Sequence, residues 1–182
     1  MLKINKESIL YTVIVLTVIS SGIALLLAII NSVTSPVIAK KNLEEKGNAI
    51  QSIYTDYISF ESTKTEVKNA EELYIVSHGD TTDYCVLVSP SGFGGEIQMM
   101  VGVTGDLKIS GVEIVSMSET AGVGTKIKNA DFLSQFIGLQ VNKISTDVDV
   151  ISGATVSSTA AKVGVETALD AVSEYLKAGD NG

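Results

Sequence analysis

No charged residue occurs between Ser8 and Ala39, and within that span Ile9 to Ile30 reads ILYTVIVLTVISSGIALLLAII. A helix needs about 20 apolar residues to cross the roughly 30 Å hydrocarbon core of a bilayer, and this run meets that length. Its polar patch, Ser20-Ser21-Gly22, is neutral and small, which suits close approach of another helix. A cleavable signal sequence would have an apolar region of only about 7–15 residues, ending in a small-residue cleavage site. This run is longer and no such site follows, so we read it as a permanent single-pass anchor. Lys3 and Lys6 precede it while Lys40, Lys41 and Lys46 follow it. The positive-inside rule therefore hardly discriminates between the two orientations.

Beyond the anchor the chain changes character. Of the net charge of -8, the stretch up to Ala39 contributes +1 (Lys3, Lys6, Glu7) and the rest -9 (11 lysines, 20 acids), and all 13 basic residues are lysines. An acidic domain without arginine or tryptophan lacks the basic footprint that nucleic-acid binding requires. One cysteine, Cys85, excludes an intrachain disulfide, a CxxC pair and a protein-ligated iron–sulfur cluster. A single histidine, His78, argues against a histidine-based metal centre. No catalytic residue and no metal ligand is assigned. His78 reads as a turn residue, Cys85 as a packed core thiol and Met99-Met100 as sheet filling.

Pro36 marks a place where the anchor helix can bend, and a helical pattern resumes from about residue 37 to 58. Asp83 to Val88 is apolar and β-branched, as a buried strand would be. Gly92-Phe93-Gly94-Gly95 is a turn into a second strand, Glu96 to Val103, and Gly105-Asp106 closes a hairpin onto Lys108 to Val115. A short helix fits Asp131 to Ile137, a short strand fits Val148 to Ile151, and a long helix fits Val156 to Lys177. Strands interrupted by helices with no βαβ period predict an α+β fold.

The stretch Asp149-Val150-Ile151-Ser152-Gly153-Ala154-Thr155 opens that last helix. A helix start presents unpaired N–H groups and the positive end of the macrodipole, both of which favour a phosphate. Gly153 permits a tight turn or a close ligand approach, and Thr155, Ser157 and Ser158 add hydroxyls. The same residues also fit a plain helix cap after a turn. Residue chemistry alone leaves both readings open.

Asp149-x-x-Ser152-Gly153-Ala154-Thr155 resembles the flavinylation motif of the FMN-binding domain shared by the G subunit of the Rnf complex and the C subunit of the sodium-translocating NADH:quinone reductase. Ser118-Glu119-Thr120-Ala121-Gly122-Val123-Gly124 resembles a second motif of that family, with Ala121 where proline is usual. The Gly92 to Gly95 turn and the strands after it provide a third match. The length is closer to the Rnf G subunit than to the longer quinone reductase C subunit.

The resemblance implies FMN joined covalently to Thr155 by a phosphodiester bond, attached by a separate flavin transferase. It places Asp149, Ser152, Gly153, Ala154, Val156 and Ser157 around the linkage, and Glu119, Thr120, Gly122 and Gly124 near the flavin. It implies residues 1–8 as a cytoplasmic N-terminus, 9–32 as the transmembrane helix, and 33–58 as a juxtamembrane helix or linker. Residues 59–178 would form the FMN-binding domain, on the outer side of a prokaryotic cytoplasmic membrane, with 179–182 a flexible tail. The implied function is electron transfer within an ion-translocating ferredoxin:NAD+ oxidoreductase, as a redox subunit that is not catalytic alone. Partners would be the other membrane subunits, including a second flavinylated subunit and iron–sulfur subunits. The rival readings are the quinone reductase C subunit, a stand-alone membrane flavoprotein, and a tethered binding module without flavin.

Overall fold

A computed structural model describes residues 6–79 and 81–179. Of the expected cytoplasmic N-terminus, residues 1–5 lie outside the described residues, as do residues 180–182 of the expected tail. The first helix, α1 (Lys6–Ile53), is followed by strands β1 (Ser59–Thr63), β2 (Ala70–Ser77), β3 (Thr82–Val88), β4 (Ile97–Val103) and β5 (Ile109–Met117). Helices α2 (Ala130–Leu133), α3 (Val141–Asp147) and α4 (Thr155–Gly179) complete the order, with 3₁₀ turns at Gly124–Lys128 and Ser134–Phe136. The chain divides into two compact units, one ending at Glu44 and one beginning at Glu45.

In the first unit, α1 is long and apolar enough to cross a membrane. Apart from half-buried Val15, the large apolar side chains from Leu10 to Leu43 are exposed, as a lipid-facing helix requires. Pro36 lies inside this helix, which runs on without interruption to Ile53. Proline removes one backbone hydrogen bond, the one that would end on Ser32 O, and nearby hydroxyls bond back to other carbonyls of the helix. Thr34 Oγ1 donates to Ile30 O at 2.9 Å and Ser32 Oγ to Ile29 O at 2.8 Å.

The second unit is built on one antiparallel sheet in the order β1-β2-β3-β4-β5, a simple meander. Side chains alternate between its faces. Tyr84, Val86 and Val88 with Ile97, Met99, Val101 and Val103 point to the face covered by α4, whose Ala161, Val165, Ala168 and Val172 are buried there. Tyr74, Val76, Cys85, Leu87 and Met100 point to the other face, where they pack with Ala49, Ile50 and Tyr54. The end of α1 thus belongs to the core of this unit. Gly102 and Gly111 pair across β4 and β5, and a Cβ on either would come within 2.5 or 3.1 Å of Ile53 Cγ2. Two adjacent strand glycines make the seat for that isoleucine.

Lys46 Nζ donates to Glu72 Oε1 at 3.0 Å, and the Tyr74 hydroxyl donates to Glu72 Oε2. Burial alone would raise the Glu72 carboxyl, but hydrogen bonds from Tyr74 and Lys46 outweigh it and hold it below its ordinary 4.5.

The α+β expectation holds: helices pack on an antiparallel sheet. The strand expected at Val148 to Ile151 is absent, because its polar groups are taken by side chains. Asp149 N–H donates to Gln135 Oε1 at 2.8 Å, and Lys162 Nζ donates to Val148 O at 2.8 Å. These contacts satisfy the backbone where a neighbouring strand would otherwise be needed.

Ile50 is fully buried and Leu43 is exposed. Ile50→Ala is expected to lower the unfolding free energy of the full chain in detergent by about 2–5 kcal/mol, and Leu43→Ala to leave it unchanged, by denaturant titration. The depressed Glu72 carboxyl contributes stability above its unfolded-state value, and that contribution is lost as pH falls through the folded value. Glu72→Gln should therefore flatten the loss of stability below pH 4.5.

Candidate functional site

The start of α4 is shaped by Ser152-Gly153-Ala154. Gly153 has φ +81° and a Cβ there would meet nothing within 4 Å. Its glycine therefore serves the left-handed turn rather than close packing. Ala154 N–H donates to Ile151 O at 2.9 Å, and Ser158 N–H to Ala154 O at 2.9 Å. The carbonyl of Ala154 thus accepts the first helical bond, which makes this alanine the N-cap residue. Alanine has no side-chain oxygen to cap with. Among the described residues no side chain accepts from the N–H groups of Thr155, Val156 or Ser157, and the Thr155 hydroxyl has no partner. The helix-cap reading of Ser-Gly-Ala-Thr does not describe this turn.

Three hydroxyls follow, and folding separates them. Thr155 is exposed. Ser157 and Ser158 are buried, at 2% and 0% exposure. Ser158 Oγ accepts from Ile151 N–H at 3.1 Å and fastens the turn to the helix. Ser157 Oγ donates to Glu119 Oε2 at 3.0 Å.

Glu119 has both oxygens engaged. Its Oε1 accepts from Phe93 N–H at 2.8 Å and Gly94 N–H at 3.3 Å, while Oε2 takes the Ser157 hydroxyl. One carboxylate thereby joins the Gly92–Gly95 turn, the Ser118–Gly124 loop and the first turn of α4. Two glycines make room for it. A Cβ on Gly92 would collide with Glu119 Oε1, and one on Gly124 would collide with Oε2 and lie 2.9 Å from Ser157 Oγ. Gly122 is different: its φ is +75°, with open space where a Cβ would stand, and its N–H donates to Thr125 Oγ1 at 2.9 Å.

These segments enclose a cleft of about 450 Å³ lined by Phe93, Glu119, Thr120, Val123, Gly124 and residues 153–157. That volume lies within the roughly 300–1,000 Å³ typical of small-molecule sites. Glu119 is the one charged residue in the lining. The structure therefore brings Glu119, Thr120, Gly124, Gly153, Ala154, Thr155, Val156 and Ser157 around one cleft. Asp149, Ser152 and Gly122 are outside that lining, and Asp149 and Ser152 are exposed. Phe93 and Val123 line the cleft without having been assigned from sequence. For Phe93 the signal was present: an aromatic set among three glycines in a turn is a side chain with little reason to be buried.

Residues 92–170, which contain every lining segment, match the family model described as the FMN-binding domain. The G subunit of the ion-translocating oxidoreductase complex of Methanosarcina acetivorans is 32% identical over 182 residues, covering 93% of this chain and 97% of that protein. The G subunit of the proton-translocating ferredoxin:NAD(+) oxidoreductase complex of Clostridium ljungdahlii is 28% identical, covering 88% of each chain. The chain belongs to the family formed by the G subunits of ion-translocating oxidoreductase complexes. Among solved structures, NqrC of Shewanella oneidensis aligns with a TM-score of 0.50 at 20% identity, over 69% of this chain and 73% of that one. That last likeness is one of fold.

Removing the Glu119 carboxylate leaves three donors without their acceptor. Glu119→Ala is expected to lower the unfolding free energy by about 1–3 kcal/mol, and Glu119→Gln, which keeps an acceptor, by less, in denaturant titrations of the full chain.

Proposed function

We propose that this chain is the electron-transfer G subunit of a membrane-bound ion-translocating ferredoxin:NAD+ oxidoreductase, with FMN linked through its phosphate to Thr155 Oγ. The observation that carries this reading is the exposed Thr155 hydroxyl, without a partner among the described residues, at an uncapped helix start on the wall of the cleft. The FMN-binding family match and the roles of the related G subunits support it.

The residues fit the group. The free N–H groups of Thr155, Val156 and Ser157 are donors suited to a phosphate, and the α4 dipole favours its charge. Ala154 leaves those donors unblocked, whereas an N-cap serine or aspartate would occupy one of them. When bound, FMN exchanges electrons between two-electron and one-electron carriers. The protein's contribution is placement. Gly153 turns the chain so that Thr155 stands at the cleft, and Ser158 locks that turn through Ile151 N–H. The Glu119 tie fixes the opposite wall against α4.

In this reading α1 holds the domain at the outer face of the cytoplasmic membrane, with the N-terminus inside. The other membrane subunits, among them a second flavinylated one and iron–sulfur subunits, would exchange electrons with it. Asp149 and Ser152, exposed beside the turn, are placed for recognition by the flavin transferase rather than for contact with the cleft.

The intact mass of the denatured protein, purified from cells with an active flavin transferase, should exceed the chain mass by FMN less one water, and peptide mapping should place the addition on Thr155. Thr155→Val should abolish the addition and leave the unfolding midpoint unchanged. An unmodified wild-type mass would overturn the proposal.

A further inference from the structure

Phe93 is 75% exposed, yet its backbone is among the most firmly held in the turn that carries it. Its N–H and that of Gly94 both donate to Glu119 Oε1. Gly92 N–H also donates to Gly95 O at 2.8 Å, closing the turn on itself. A Cβ on Gly94 would collide with Ser118 O, so the turn sits directly on the neighbouring loop. A held turn that exposes a phenyl ring has lost backbone freedom without gaining burial. The ring lines the same cleft as Thr155 and is the one aromatic side chain in that lining. Val123 and Val156, 45% and 52% exposed, continue the apolar rim.

We infer that Phe93 is a positioning residue that covers one face of the flavin's isoalloxazine ring, with its own place set by Glu119; the inference rests on FMN being tethered at Thr155. Aromatic rings pair at centroid spacings of about 4.5–7 Å, and the ring of a group anchored across the cleft would meet Phe93 before any other aromatic side chain. The occupant is that tethered ring. The geometry explains why Glu119 spends its carboxylate inside the protein: through two N–H groups it holds the turn, and through Ser157 it registers the turn against the helix that bears the tether.

The test uses tryptophan as a reporter, because the chain contains none and an indole in contact with excited flavin quenches its emission by electron donation. Phe93→Trp and, as a control, Ile137→Trp are made in the full chain in detergent after flavinylation. Ile137 is 56% exposed and lines a different cleft. Flavin on Thr155 is established by mass in each sample. At stacking distance, Phe93→Trp should reduce flavin emission about tenfold relative to wild type, with Ile137→Trp unchanged. Phe93→Ala should make the flavin more accessible to iodide quenching. Flavin present on Thr155 with equal emission in the two tryptophan variants would overturn the role of Phe93 alone. Flavin absent from Thr155 in the wild type would overturn the underlying reading and this one with it.

Discussion

Strands β2 to β4 carry apolar side chains on both faces, so the sheet is stable only if both faces are kept from water. Two helices from opposite ends of the chain do this. One is α4, which packs Ala161, Val165, Ala168 and Val172 against one face. The other is the last part of α1, which sets Ala49, Ile50 and Tyr54 on the opposite face. The glycine pair at 102 and 111 lets Ile53 come close to the backbone, and the Lys46–Glu72–Tyr74 contacts reinforce the same seat. The domain thus begins within α1, whose residues from Glu45 onward belong to the folded unit.

The site is built on the other cover. Helix α4 packs against the sheet through its length and presents its uncapped start at the cleft. Glu119 then joins that start to two loops from elsewhere in the chain. Buried or half-buried carboxylates are stable when hydrogen-bonded, and here three donors meet one carboxylate. Glycines at 92 and 124 exist where they do because a methyl group would displace its oxygens. This arrangement ties loops from distant parts of the chain and the start of α4 into one cleft lining.

Much of this is legible in the order of residues. The membrane-length helix, β3 to β5, the hairpin at Gly105-Asp106 and the final helix all follow from apolar runs and turn residues. The cleft segments are legible as motifs: eight of the residues singled out from the sequence line it. The misses have physical causes. Strand β1 is exposed and polar, Ser-Phe-Glu-Ser-Thr, so it lacks the apolar alternation that marks a strand. Val148 to Ile151 has strand-like residues, but Gln135 and Lys162 satisfy its backbone instead.

Local order in the chain was enough to establish an apolar helix of membrane-spanning length, an α+β domain and a Ser-Gly-Ala-Thr turn opening a helix, because periodicity and backbone preference act between near neighbours. It could not say which glycines turn the backbone and which make space. Gly122 and Gly153 turn it, whereas Gly92 and Gly124 accommodate Glu119. Nor could it say that Glu119 faces inward, that Ala154 is the N-cap, or that Phe93 and Thr155 line one cleft. Those facts depend on segments far apart in sequence meeting around one carboxylate, and a contact of that kind exists only once the sheet and its two covers have brought the loops together.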